Sequence, residues 1–300
     1  MRSNFGRTNR QLPPIWLSLN PPDHPFGEWR EELVAACVGA ETVLDVTHST
    51  GLWGDLLPRE GVDLMVCLGS NTIHSVSASH AADLIQAELV QALSCLGGRR
   101  IAYVFWNVVG PHEEFQVEGV LAGFEEAIHD GIFQHLGLNV AGPAVAALAL
   151  WQFHDAFDAV LIPRNPLDDA AHELLAPVAA QRNVGLVGRD TIHWRAGVSF
   201  AEMPSVRALP NVGELEGAVL GNYASDHPVI VPVSTPADCH RLAALKPVPI
   251  PDFEAVMGPV VDAYRRSGNW EALAEGLDPV VASRAKNGLS QADWLDPAFA

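Results

Sequence analysis

The chain has 300 residues, 48% hydrophobic and 18% charged, which is enough apolar surface for a large core and argues against a disordered or fibrous protein. Its 36 acidic residues against 18 basic ones give a formal charge of -18, a field that repels polyphosphate and anionic lipid, so neither nucleic acid nor a membrane is an expected partner. Sixteen of the basic residues are arginine; the lysines are Lys246 and Lys286, and the tyrosines are Tyr103, Tyr223 and Tyr264.

The opening residues, MRSNFGRTNRQLPPIW, hold no apolar run of signal-peptide length, and no stretch approaches the ~18 apolar residues of a membrane span, so a cytoplasmic protein is expected. Short apolar runs then alternate with segments of helical period. Strands are expected at Pro14–Leu19, Thr42–Thr47, Val62–Leu68, Arg100–Trp106, Phe133–Leu138, Phe157–Pro163, Asn183–Arg189 and Pro228–Val233. Helices are expected near Gly27–Val38, Leu52–Pro58, Ser79–Leu96, Val117–Gly131, Pro143–His154, Asp168–Gln181, Val212–Ala224 and Pro236–Leu245. Eight strand-then-helix units in about 250 residues have the size and rhythm of a (β/α)8 TIM barrel. A doubly wound sheet usually opens on a glycine-rich turn, and Leu19–Phe26 contains no glycine.

Gly131 reads as a C′ stop and Ser234-Thr235-Pro236 as a capped helix start. The long aperiodic stretch Asp190–Pro210 follows the seventh strand and is expected to overlie the C-terminal mouth, where barrel active sites sit. Residues 1–250 are assigned to the barrel and 251–300 to an extension on its outside, with one helical piece around Phe253–Arg266. Cys37, Cys67, Cys95 and Cys239 form no CxxC pair, so neither a zinc site nor a disulfide framework is suggested and a reducing compartment fits. His112-Glu113-Glu114 lacks the second histidine of an HExxH helix, so no metal is expected.

Several segments resemble the aldo-keto reductases, over roughly residues 4 to 245. FGRTNRQLPPIWLSL is similar to the family's opening LGRTG and first strand, and TVLDVTHSTG to its second, F-D-T-A-x-x-Y-G. EEAIHDGIFQHLGLNVAG resembles the helix and fifth strand L-x-x-G-K-[IV]-R-x-[IL]-G-V-S-N. FDAVLIPRNPLDDAAHELLAPVAAQRNVGLVGRD follows the sixth and seventh strands, and HPVIVPVSTPADCHRL the closing I-P-G-x-x-[ST]-P-E-Q segment. The resemblance implies an aldo-keto reductase barrel that moves hydride from NADPH to a carbonyl. The family's general acid is a tyrosine, assisted by a lysine, a substrate-orienting histidine and an aspartate.

Carried onto this chain, the aspartate is Asp45, the tyrosine position is Thr50, and the lysine position falls in Val66–Ser70, which holds no lysine. The histidine position falls at Trp106 or Asn107. The Ser-Asn pair that holds the nicotinamide becomes Asn139-Val140, the strand-six glutamine becomes Leu161, and the stacking aromatic becomes Gly188 or Arg189. After the last strand Pro232 is kept, but the next glycine is Val233, whose branched side chain is expected to crowd a phosphate. Arg241 and the helix start Thr235–Ala237 are the remaining anion site. No cofactor is therefore expected, with NADPH or NADH kept as the alternative.

Residues at the C-terminal ends of the strands define the expected pocket. Asp45, His48, Asp190 and His193 are the catalytic candidates, because His beside Asp exchanges protons near neutral pH. Trp53, Trp106, Asn107, Asn139, Arg164, Arg189 and Trp194 are the substrate-binding candidates, with His112 and Asn165 nearby. Arginine forks suit anionic groups and tryptophan walls suit flat ones. The expected partner is a small molecule, anionic or aromatic. The expected activity is non-redox acid/base chemistry of a kind met in secondary metabolism: elimination, dehydration, cyclisation or isomerisation. The alternatives are an NAD(P)H oxidoreductase with a substitute proton donor and a non-catalytic binding module.

Overall fold

A computed structural model describes residues 3–19, 30–47, 50–166, 168–192 and 212–266. The chain begins with a hairpin that the apolar pattern did not signal, because strands of three residues are too short to show a period. In it β1 (Ser3–Phe5) pairs antiparallel with β2 (Arg10–Leu12).

Eight parallel strands follow and close into a barrel, each within two or three residues of its expected position. They are β3 (Ile15–Ser18), β4 (Val43–Asp45), β5 (Asp63–Leu68), β6 (Ile101–Val108), β7 (Phe133–Val140), β8 (Ala159–Pro163), β9 (Gly185–Arg189) and β10 (Val229–Pro232). The order around the barrel is the order in sequence, and β10 pairs with β3 to close it.

The helices that cover the strands are α1 (Arg30–Gly39), α2 (Thr50–Trp53), α3 (Ala78–Cys95), α4 (Glu114–His129), α5 (Ala144–Phe153), α6 (Ala170–Arg182), α7 (Val212–Asp226) and α8 (Pro236–Ala243). Local chemistry sets several of their ends. The Ser77 hydroxyl accepts the His80 amide at the start of α3. Gly131, at φ 72°, takes the left-handed turn after α4. A final helix, α9 (Phe253–Arg266), sets the Phe253 ring edge-on to Tyr223 at 5.2 Å and buries Met257 and Val261.

Side chains alternate in and out along a strand, so the protein has two apolar cores. One contains no helix residue and fills the barrel: Phe5, Leu12, Trp16, Val43, Met65, Tyr103, Phe105, Leu161, Val187 and Ile230 lie in it. The other joins the alternate strand residues to the helices. Each fully buried Leu, Val or Phe in either contributes about 1.5–3 kcal/mol of transfer free energy.

Gly137 is required inside the barrel, since a Cβ there would lie 2.3 Å from the Phe105 ring. The hairpin seals the N-terminal end. Phe5 stands 5.4 Å from Trp16 and edge-on to Tyr103 at 5.9 Å, over Gly185, where a Cβ would meet its ring at 2.5 Å. Arg7 donates to Asp158 and Asp155 at 3.1 Å each and to the Phe157 carbonyl at 2.5 Å, while Arg10 reaches Asp63 at 2.5 Å. These bonds strap the hairpin to the starts of β8 and β5. Among the described residues no helix is long and apolar enough to cross a membrane.

Candidate active site

Pro163 on β8 and Pro232 on β10 aside, the inward positions nearest the C-terminal mouth are polar or carry a thiol where those below are apolar. They are Ser18 on β3, Asp45 on β4, Cys67 on β5, Asn107 on β6, Asn139 on β7 and Arg189 on β9, with Phe105 and Leu161 beneath them. Register places Ser18 beside Asp45 and Asn107 beside Asn139.

On one side of the mouth Asp45 Oδ1 accepts from the Thr47 amide at 3.0 Å and hydroxyl at 2.5 Å. The Thr47 hydroxyl in turn accepts the Cys67 amide at 3.0 Å. Burial, reinforced by the Asp45 carboxylate, pushes the Cys67 thiol up to about 12, so it is uncharged at neutral pH.

On the other side a hydrogen-bonded chain crosses four strands' ends. Asn107 Nδ2 donates to Ser70 Oγ at 2.9 Å, Asn139 Nδ2 to Asn107 Oδ1 at 2.7 Å, and Arg189 Nε to Asn139 Oδ1 at 3.1 Å. Arg189 Nη2 donates to the Val140 carbonyl at 2.7 Å, and Nη1 pairs with Asp190, which sits at φ 58°. Asn139 is 7% exposed, so its amide is oriented by these partners rather than by water. The arrangement offers substrate an amide-lined wall, a carboxylate at Asp45 and a guanidinium whose charge Asp190 already matches.

Of the candidates read from sequence, Asp45, Asn107, Asn139, Arg189 and Asp190 are brought together here. His48, His193 and Trp194 lie outside the described residues, as does most of the Asp190–Pro210 stretch. Three assignments are corrected. Trp106 faces away from the barrel axis: it is fully buried, donates from Nε1 to Thr72 Oγ1 at 3.1 Å and packs edge-on to His112 at 5.0 Å. The inward residue at the end of that strand is Asn107. His112 therefore sits outside the barrel, with its pKa lowered by burial and Nδ1 2.9 Å from the Gly110 carbonyl. Trp53 is also fully buried in the helix-facing core.

Arg164 is the third correction. It points outward between α6 and α7, 5% exposed, because it follows Pro163, an inward residue, by one position. Its Nη2 donates to Asp226 at 3.1 Å, Nε lies 3.8 Å from Asp169, and the guanidinium covers the Tyr223 ring at 5.0 Å. Burial and the Arg164 charge hold His172 and His227 down at about 4, and burial raises Asp169 to about 7 against the pull of Arg164. Asn165 is buried beside it, accepting the Asp168 amide at 2.9 Å.

Val233 is likewise fully buried in the outer core and does not crowd the mouth. What covers the start of α8 is Asp238, which accepts from the Thr235 amide at 3.1 Å while the Thr235 hydroxyl accepts the Asp238 amide at 3.2 Å. Arg241 pairs with Glu216 at 3.3 Å and with Asp238 at 3.6 Å. Thr47, Cys67 and Ser70 were missed in the sequence, although Thr47 and Cys67 each stand two residues from an inward position. Among the described residues no group of three or more His, Cys, Asp or Glu is arranged to hold a metal.

These features define a parallel (β/α)8 barrel with a plugged N-terminal end and a polar C-terminal mouth. No protein-family model matches the sequence, and no curated protein matches it. Among solved structures it is similar to the holo form of an aldo-keto reductase from Bacillus halodurans, with TM-score 0.63 and 13% identity over 87% of this chain and 95% of that one. It is also similar to a Bombyx mori aldo-keto reductase in complex with NADP, with TM-score 0.61 and 14% identity over 99% and 97%. Aldose reductase from Giardia lamblia gives TM-score 0.60 and 12% identity over 84% and 92%. The fold is that of the aldo-keto reductases, as the sequence resemblance implied.

Proposed function

We propose that this chain is an enzyme of aldo-keto reductase fold that performs acid/base chemistry on a small polar organic substrate without tyrosine–lysine hydride transfer. The reaction class is elimination, dehydration, cyclisation or isomerisation. The observation that carries the reading is Cys67. It occupies the inward position at the mouth end of β5, where the family resemblance calls for lysine, and its thiol is neutral. Both lysines come after β10 in the sequence, so neither stands at the strand-end position where the resemblance calls for one. Asp45 then serves as the proton carrier, together with the sequence candidates His48 and His193. The Asn107–Asn139–Arg189 chain orients hydroxyl or carbonyl groups of the substrate. Because Asp190 matches Arg189 and Arg164 faces away, a neutral polar substrate fits this mouth better than an anion.

The start of α8 speaks against an anionic dinucleotide with a phosphate seated there. A phosphate at the start of α8 would meet Asp238, whose carboxylate already takes the Thr235 amide, and Arg241 is held by two carboxylates.

Calorimetric titration with NADPH and NADH, with tryptophan fluorescence in parallel, tests the reading. No heat and no quenching at up to millimolar nucleotide are expected, and mass spectrometry of the natively purified protein should release a small polar compound. Micromolar NADPH affinity with carbonyl-dependent oxidation of the nucleotide would refute it. That outcome supports a second reading, an NAD(P)H reductase with a substitute proton donor, which the likeness to the NADP-bound Bombyx mori enzyme over 99% of this chain favours. Asp45→Asn separates both from a binding module: loss of turnover with retained ligand binding marks an enzyme.

A further inference from the structure

Cysteines 202 positions apart in sequence meet inside the protein. Cys37, in the last turn of α1, and Cys239, in the first turn of α8, place their sulfurs 2.9 Å apart, and both residues are fully buried. Spacing along the chain gave no sign of this pair, and the expectation of no disulfide rested on spacing alone. A movement of less than ~1 Å brings two such sulfurs to the ~2.05 Å of a bond. We propose that Cys37 and Cys239 are a modification site, forming an intramolecular disulfide when the protein meets a hydroperoxide.

The two positions are chemically unequal. Either thiol can donate the hydrogen bond they share, but Cys239 alone stands in the first turn of α8, near its backbone amides; with Cys37 as donor the Cys239 pKa is lowered and that of Cys37 raised, against the opposing pull of burial and Asp238 on Cys239. Cys239 is therefore the nucleophile. Its thiolate attacks a peroxide oxygen, breaking the O–O bond to give a Cys239 sulfenic acid and hydroxide, which takes up the proton the thiol released. The Cys37 sulfur then attacks the Cys239 sulfur, forming the S–S bond. The sulfenic hydroxyl leaves with the Cys37 proton as a second water. Two thiols are oxidised by two electrons and one peroxide is reduced to two waters.

The apolar surroundings select the oxidant. Both sulfurs lie in the core between strands and helices, so a bulky disulfide such as oxidised glutathione is excluded while hydrogen peroxide enters through small local openings. The bond also has a structural meaning, because α1 follows β3 and α8 follows β10, the two strands whose pairing closes the barrel. The cross-link would staple that seam covalently.

The test is treatment of the full-length native protein with hydrogen peroxide, followed by denaturation, alkylation and peptide mass spectrometry. A single linked pair of Cys37 and Cys239 peptides is expected, with Cys67 and Cys95 alkylated, and the free-thiol count falling from four to two. The melting temperature should rise by about 5–10 °C and return on reduction with dithiothreitol. Cys239→Ser should abolish the link and the shift, and the mass spectrum of the unmutated protein stands as the readout if that variant fails to fold. Full alkylation of Cys37 and Cys239 after peroxide would overturn the proposal. So would a link to Cys67 or Cys95, or a link seen only after exposure to denaturant.

Discussion

Gly137→Ala is the sharpest test of the packing beneath the mouth. A methyl group on Gly137 would lie 2.3, 2.4 and 3.0 Å from three carbons of the Phe105 ring. Carbon atoms prefer about 3.5–4 Å, so the ring must retreat by more than ~1 Å. It has nowhere to go, being fully buried with Tyr103 stacked 6.4 Å away. Overpacking of this kind costs about 1–3 kcal/mol. Replacing glycine within a strand returns about 0.5–1 kcal/mol of backbone entropy, which leaves a net loss of about 2 kcal/mol at the upper end of the clash.

Urea denaturation followed by tryptophan fluorescence measures that loss as a lower midpoint at unchanged slope. Phe105→Leu makes the room that the methyl needs. In that background Gly137→Ala should cost at least ~1 kcal/mol less than in the parent, a coupling expected only of residues in direct contact. Equal costs in the two backgrounds would show that Phe105 does not lie against Gly137, and would refute the placement of the mouth's floor.

Asn139→Ala should leave Asn107 Oδ1 and Arg189 Nε without their shared partner, costing about 1–3 kcal/mol in the same assay; Asn139→Asp should be milder, because it keeps an acceptor for Arg189. Asp238→Ala removes one half of the α8 capping box and should cost about 1 kcal/mol, read as a drop in melting temperature. The histidine pair predicts a pH dependence. His172 and His227 sit near 4 when folded and near 6.5 when not, so the folded state binds fewer protons in that window. Their contribution is complete above about pH 6.5 and is lost as pH falls toward 4. Asp169 acts in the opposite sense: raised to about 7 from 3.8, its contribution falls as pH rises through that range and offsets part of the histidine effect. The stability advantage of the parent over His172→Gln/His227→Gln should therefore shrink from pH 7 to pH 4, and an advantage that grows on acidification contradicts the assignment.

The eight barrel strands were legible because their apolar runs are dense and the helices between them are long. Which side chains face inward was less so. Trp106 and Asn107 are neighbours on β6, and one position decides between core and mouth. The same parity sends Arg164 outward while Arg189 turns in. Register between strands sets that parity, and β6 also carries a shift against β5 near Leu64 and Met65 that no single-strand pattern contains. The Cys37–Cys239 contact was invisible because it depends on closure of the chain over 202 positions, and the hairpin because its three-residue strands are too short to show a period.

The Phe5 hairpin makes the barrel a cul-de-sac. Trp16, Tyr103 and Phe105 fill the shaft above it, so among the described residues the barrel opens only at its C-terminal mouth. On the proposed chemistry, a product formed over Asp45 would back out along the path by which the substrate came in, so turnover would be vulnerable to its own product, and molecules too wide for the doorway would be served only at a protruding end.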